Sequence, residues 1–292
     1  MGFDLRGKTV LLTGASSGIG WGLAKELSRA GATLALSARR EEALTQLALQ
    51  IQCEGGDAHV LPADLSKRGA AADLAGRARD ALGHVDVLVN DAGVGMAAAQ
   101  WVGGDGDVAR ALFETNYWSA VSLAAELAPA MKERGQGAIV NVASMGAVLP
   151  FPMTGHYGSS KAALAIATDA LRMELRSSGV NVMLVLPGPV ETAMLAEAKQ
   201  IDGLDAALAL TPPGNVDTLA RLVVRGIARG HREIVYPRPL WLTRVFPTLG
   251  RWAATWMMRK MHADDPRIVA GGSDGGEEAR QARERFESRR AA

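Results

Sequence analysis

The 292-residue sequence predicts an α/β fold, a doubly wound parallel sheet with helices on both faces. Three observations carry this. Short apolar runs rich in Val, Leu and Ile recur along the chain, helical patterns fill the gaps between them, and a glycine-rich turn joins the first run to the first helical pattern. Parallel strands need a long crossover to return the chain to the same end of the sheet, and a helix is the usual solution. Strand-like runs lie at 8–13, 33–38, 58–62, 85–90, 138–143, 181–186 and 233–236, and the longest helical patterns at 107–133 and 154–177.

Taken in order, the first strand centres on Val10-Leu11-Leu12, continuously apolar as a strand covered on both faces must be. It runs into Thr13-Gly14-Ala15-Ser16-Ser17-Gly18-Ile19-Gly20 and then Leu23-Ala24 and Glu26-Leu27 at helical spacing. Strand, glycine turn and helix make the context of a Rossmann-type dinucleotide site. Gly14 suits the tight turn, Gly18 admits a pyrophosphate to the backbone, and Gly20 lets the helix pack on the strand; Ser16, Ser17 and Ile19 complete the cradle. The second strand ends in Ala38-Arg39-Arg40 with no acidic residue to hold a ribose diol. A guanidinium there suits a 2′-phosphate, so NADP(H) is preferred over NAD(H), with Arg39 as the main ligand and Arg40 opening a solvated helix. The third strand leads to Ala63-Asp64-Leu65, where Asp64 reads locally as a helix cap.

The fourth strand closes in Asn90-Asp91-Ala92-Gly93. The 107–133 helix carries Phe113-Glu114-Thr115-Asn116, and Ser144 follows the fifth strand. The 154–177 helix places Tyr157 and Lys161 four residues apart, on one face. A phenol titrates near ~10, so a neighbouring ammonium that favours phenolate would suit it for proton transfer at neutral pH. After the sixth strand comes Pro187-Gly188-Pro189-Val190-Glu191-Thr192.

In this order the motifs resemble the signature of the classical short-chain dehydrogenase/reductase family: TGxxxGxG, NNAG, Ser, YxxxK and a later PG. The resemblance spans about residues 5–236, departing at Asp91, where the family usually carries a second Asn. It implies strand order 3-2-1-4-5-6-7 and one catalytic domain over 1–236. It implies that Ser144 holds a substrate carbonyl oxygen while Tyr157 donates or accepts the proton. Lys161 lowers the Tyr pKa and bonds the nicotinamide ribose, and Asn116 links Lys161 to solvent through water. Asp64 corresponds to the adenine contact, Asn90, Ala92 and Gly93 to further cofactor contacts, and Val190 and Thr192 to the nicotinamide contacts after Pro187-Gly188. The resemblance also implies a homodimer or homotetramer through the 107–133 and 154–177 helices. The reaction expected is interconversion of a ketone and a secondary alcohol. A non-catalytic dinucleotide-binding scaffold is the alternative, but such chains typically lose the Ser, Tyr or Lys retained here.

Composition agrees. Net charge of +1 and the lack of a basic patch interleaved with aromatics give no reason for nucleic acid. One cysteine, Cys53, leaves no intrachain disulfide, and the five histidines lack ligand spacing, so no metal is expected. The N-terminus reads directly into the first strand without a signal peptide, which points to the cytoplasm. The loops at 145–155 and 189–215 bear Met145, Leu149, Phe151, Met153, Met194, Leu195 and Leu204, a lining for a lipophilic substrate.

Residues 237–262 form an apolar and basic extension holding three of the six tryptophans. Pro247 divides it, and Val245, Leu249, Trp252 and Trp256 recur at helical spacing. The expectation is a helix docked over the cleft or at a subunit interface, with Trp241, Trp252 and Trp256 buried against the protein's own surface. Peripheral membrane contact through 237–261 is the other reading. Residues 263–292, rich in Gly, Asp, Glu and Arg, read as a poorly ordered tail.

Overall fold

The computed structural model describes residues 3–95, 99–198 and 212–260. Leu204 and the 263–292 tail lie outside them. The order begins β1 (Thr9–Thr13), α1 (Gly18–Arg29), β2 (Thr33–Ser37), α2 (Glu41–Cys53), β3 (Asp57–Val60), α3 (Ala70–Leu82) and β4 (Val87–Asn90). It continues with α4 (Gln100–Gly103), α5 (Asp107–Phe113), a π-helical turn at Glu114–Trp118, α6 (Ser119–Glu133) and β5 (Gly137–Val142). Then follow α7 (Gly155–Glu174), β6 (Val180–Pro187), α8 (Ala193–Ala198), α9 (Val216–Arg229) and β7 (Glu233–Tyr236).

All six strand pairings are parallel, in the order 3-2-1-4-5-6-7. Alternation along β1 explains the two layers. Val10 and Leu12 join one core with Leu23 and Leu27 of α1, Leu44 and Leu47 of α2, and Leu219 and Val223 of α9. Leu11 points the other way, into a core with Leu74 of α3 and Leu123 and Leu127 of α6. Every residue of β4 and β5 is buried, as the middle of a doubly covered sheet requires. The chain reverses its winding between β1 and β4, so the crevice at a topological switch point opens beyond their carboxyl ends.

The predicted 107–133 helix is interrupted. Its π turn contains Asn116, whose side-chain bonds, described below, reach across to the loop after β4. Beyond β7 the extension forms α10 (Trp241–Val245) and α11 (Pro247–Met257), with Pro247 at the first position of the second helix, where its missing N–H costs nothing. Leu240, Ala254 and Met258 pack inward, but Trp241, Trp252 and Trp256 are 54%, 66% and 58% exposed. The expectation that these three rings bury against the protein's own surface is therefore wrong. The inward stripe of α11 falls at Gly250, Ala254 and Met258, which leaves Trp252 and Trp256 on the other side of the helix.

Candidate active site

The crevice starts at the glycine turn. Gly14 (φ +74°) and Gly18 (φ +54°) hold left-handed backbone that a side chain would strain. A Cβ on Gly14 would stand 2.8 Å from the Ala92 amide nitrogen, and one on Gly20 would stand 2.2 Å from the Gly14 carbonyl oxygen. The turn is thus folded against itself and against the loop after β4, and Thr13 Oγ1 accepts the Asp91 and Ala92 amides at 3.2 and 3.1 Å. Ser17, the N-cap of α1, caps no amide with its side chain. The loop after β6 faces this turn, since a Cβ on Gly18 would lie 3.2 Å from Thr192 Cγ2. Thr192 Oγ1 donates to the Val190 carbonyl at 3.2 Å and accepts the Leu195 amide at 3.3 Å, while Val190 bridges to Gly214. A groove lined by Gly18, Glu191, Thr192, Ala193, Leu195 and Ala196 results. A helix N-terminus with no side-chain cap, behind a glycine-rich turn, fits the pyrophosphate of a dinucleotide.

At the end of β2 both arginines are exposed. Arg40 opens the exposed start of α2, as read from the sequence, and also donates to the Ser16 carbonyl at 3.2 Å and to Ser16 Oγ at 3.1 Å, over the glycine turn. Nothing in the sequence but adjacency to Arg39 signals this. Asp64 caps a turn rather than a helix, accepting from Ser66 Oγ at 2.7 Å and from the Ser66 amide at 3.1 Å. Burial pushes its carboxyl up, but the Ser66 bonds outweigh this, with Lys67 and Arg39 adding, and hold it below the usual carboxylate range. The side chain of Asn90 is spent inside the sheet. It donates to Asn141 Oδ1 at 2.8 Å, Asn141 donates to Thr168 Oγ1 at 2.9 Å, and Asn90 Oδ1 has no partner.

The second half of the crevice holds Ser144, Tyr157, Lys161 and Asn116. Ser144, two residues beyond β5, takes the Gly146 amide on its Oγ at 3.0 Å. A Cβ on Gly146 would touch Ser144 Oγ at 3.4 Å and Tyr157 Cε1 at 3.5 Å, so the serine hydroxyl and the phenol ring flank the same backbone. Lys161 is buried and donates from Nζ to the Val142 carbonyl at 3.0 Å. Gly93 lies against it, since a Cβ there would meet Lys161 Nζ at 3.1 Å and Asn116 Oδ1 at 3.4 Å. Asn116 clamps the loop by accepting the Val94 amide at 2.8 Å and donating to the Val94 carbonyl at 3.0 Å. It also donates to Ser160 Oγ at 3.0 Å, and Ser160 donates in turn to the Tyr157 carbonyl at 2.8 Å.

The electrostatics correct one expectation. Lys161 was to bring the phenol down, yet burial pushes Tyr157 up, with Ser144 pulling it back and the charge of Asp91 adding to the rise. Burial likewise lowers the Lys161 ammonium, opposed by Asp91, and raises the Asp91 carboxyl, opposed by Lys161 and by a bond from the Gly20 amide. Desolvation of the buried phenolate dominates, and Asp91 adds negative charge beside it. Asp91, visible in the sequence only as a departure from the family motif, is thus part of the site's charge balance.

Residues 8–202 match the family described as short chain dehydrogenase. The chain is 34% identical over 231 residues to the ketoacyl reductase HetN of Nostoc sp., covering 79% of each. Among solved structures it resembles a Burkholderia phymatum short-chain dehydrogenase/reductase in complex with NAD (27% identity, TM-score 0.74, 82% and 92% covered). It also resembles a Sphingobium yanoikuyae short-chain dehydrogenase in complex with NADPH (31% identity, TM-score 0.73, 88% and 98% covered). Sheet order, motif positions and these likenesses agree: the chain belongs to the classical short-chain dehydrogenase/reductase family of oxidoreductases.

Proposed function

We propose that the protein is an NADP(H)-preferring oxidoreductase that interconverts a ketone and a secondary alcohol on a lipophilic substrate. The observation that carries this is the convergence of Ser144, Tyr157 and Lys161 at one crevice, beside the glycine turn, with the Ser144 hydroxyl and the Tyr157 ring both against Gly146. A bound nicotinamide would supply the hydride. A carbonyl that accepts hydride gains negative charge on oxygen, so donors must stand beside it beforehand. Ser144 orients that oxygen and Tyr157 gives up the proton; in oxidation the phenolate takes it back. The raised phenol pKa keeps Tyr157 protonated at neutral pH but makes it a weaker acid, so the proton moves only as negative charge develops on the carbonyl oxygen. Lys161, fixed by the Val142 carbonyl, is placed to bond the nicotinamide ribose, and Asn116 holds the Gly93–Val94 loop against it.

Gly14, Ser16, Ser17, Gly18, Ile19 and Gly20 would cradle the pyrophosphate. Arg39, with Arg40 now beside it over Ser16, would take the 2′-phosphate, and Asp64, Ala92, Val190 and Thr192 would flank the rest. Buried Met145, Leu149 and Met153 favour an apolar substrate, and the likeness to a ketoacyl reductase supports a ketone. A scaffold role without turnover is disfavoured by the intact Ser, Tyr and Lys. We place the protein in the cytoplasm as a homodimer or homotetramer, assembled through the 107–133 and 154–177 segments. That face leaves Trp118, Ile166 and Met173 at 52%, 71% and 70% exposure in the single chain. Oxidation of NADPH and NADH against steroid, fatty-acyl and aromatic ketones tests the proposal: turnover with at least one, faster with NADPH, is expected. No turnover with any of them, despite tight NADPH binding, would favour the scaffold.

A further inference from the structure

We propose that α10 and α11 form a seat for an anionic lipid surface, set beside the mouth of the active site. Outward-facing side chains give the first reason. Trp241, Leu242, Phe246, Leu249, Trp252 and Trp256 are between 54% and 66% exposed, a concentration of large apolar groups that a solvated surface does not ordinarily keep. Leu249, Trp252 and Trp256 follow the i, i+3, i+7 spacing of one helical stripe, on a side of α11 away from the docked Ala254 and Met258. None of the described helices is long and apolar enough to cross a membrane, so the stripe suits a helix lying in the interface plane.

Charge supplies the second reason and selects the occupant. Residues 237–261 contain Arg238, Arg244, Arg251, Arg259 and Lys260 and no Asp or Glu, and of these Arg244 is paired with Glu233 at 3.0 Å. Arg259 stacks on Trp256, 4.2 Å from the ring centroid, a pairing that would put the ring at the acyl boundary and the guanidinium among phosphates. Arg238 and Arg251 are exposed as well. A second copy seated isologously on this face would bring like cations together, whereas anionic headgroups complement them. The exposed Trp118, Ile166 and Met173 lie on the π turn and α7, apart from this segment in the chain, and leave this face unexplained.

The seat is tied to the site. Arg251 Nε donates to the Val148 carbonyl at 3.2 Å, and a Cβ on Gly250 would stand 3.0 Å from Leu149 Cδ2. Val148 and Leu149 lie on the loop that leaves Ser144, so a lipid surface under α11 would adjoin the substrate loop. That a lipophilic ketone would enter from the bilayer rests on the proposed function; the lipid seat does not.

The test is cosedimentation of the full chain with phosphatidylcholine vesicles and with vesicles that also contain phosphatidylglycerol. Pelleting with the anionic vesicles alone, weakened by salt and accompanied by a blue shift of tryptophan emission, is expected. Leu249→Asp with Trp252→Asp should cut partitioning by more than about tenfold, and Arg238→Gln by roughly fivefold. Circular dichroism and turnover of a water-soluble ketone should be unchanged, since neither exposed position touches the site. Absence of pelleting, or equal pelleting of the double variant, would overturn the proposal. So would a double variant that loses its oligomer by light scattering while the parent ignores vesicles, because the face would then be a subunit interface. Lost ketone turnover with intact pelleting would count against the proposed function alone.

Discussion

Replacing Asn116 by Ala removes three side-chain bonds at once, two partly buried, from the Val94 amide and to the Val94 carbonyl, and one buried, to Ser160 Oγ. Each net bond is worth about 1 kcal/mol, so the loss should be about 3 kcal/mol, with the stranded Val94 groups setting the upper end. For a domain of this size that corresponds to roughly 6–12 °C in Tm. Ser160→Ala, which loses the shared bond and the one to the Tyr157 carbonyl, should cost about 2 kcal/mol. Because the two residues share a bond, the double variant should fall short of additivity by about 1 kcal/mol. The clamp also holds Gly93 against Lys161, so kcat should drop by roughly tenfold or more in Asn116→Ala. Calorimetry or urea titration reads the stability and a ketone assay reads the rate. A loss below about 1 kcal/mol, or strict additivity with Ser160→Ala, would refute the reasoning.

Three further outcomes are expected. Arg39→Asp should weaken NADPH binding by about 2 kcal/mol, roughly thirtyfold, and NADH binding far less, measured by fluorescence titration; equal losses would remove Arg39 from the discrimination. Asp91→Asn should lower the Tyr157 pKa, because the carboxylate charge contributes to its rise. Alcohol oxidation uses the phenolate, so the rising limb of kcat/KM against pH should move to lower pH; an unmoved or upward-shifted limb would contradict the charge balance. Ile166→Lys with Met173→Lys should convert the oligomer to a smaller species by light scattering, unless α7 is not the interface.

What the sequence discloses follows the range of the forces involved. The parallel α/β sheet and the elements of the crevice follow from local signals, apolar runs, a turn that requires φ > 0 at Gly14 and Gly18, and Tyr157 and Lys161 on one helical face, while the strand order is implied by the family resemblance. Their mutual placement then follows from the parallel sheet. The interruption at Asn116 was not readable, because it depends on Val94 and Ser160, 22 and 44 residues away. The Arg40 contact is illegible for the same reason, since its partner Ser16 lies 24 residues back. The sign of the Tyr157 shift turns on burial and on Asp91, and spacing alone reports neither. The outward tryptophans show a further gap: periodicity identifies a stripe but not whether protein or solvent lies against it.

The central claim is that the Tyr157 phenol moves the proton, and Tyr157→Phe measures it most directly. The ring keeps its packing and only the hydroxyl is lost, so NADPH affinity by fluorescence titration should remain close to that of the parent. Turnover of an accepted ketone should fall by about 10²-fold or more, the usual contribution of a positioned acid. A variant that binds NADPH normally and reduces the ketone at the parent rate would contradict the account.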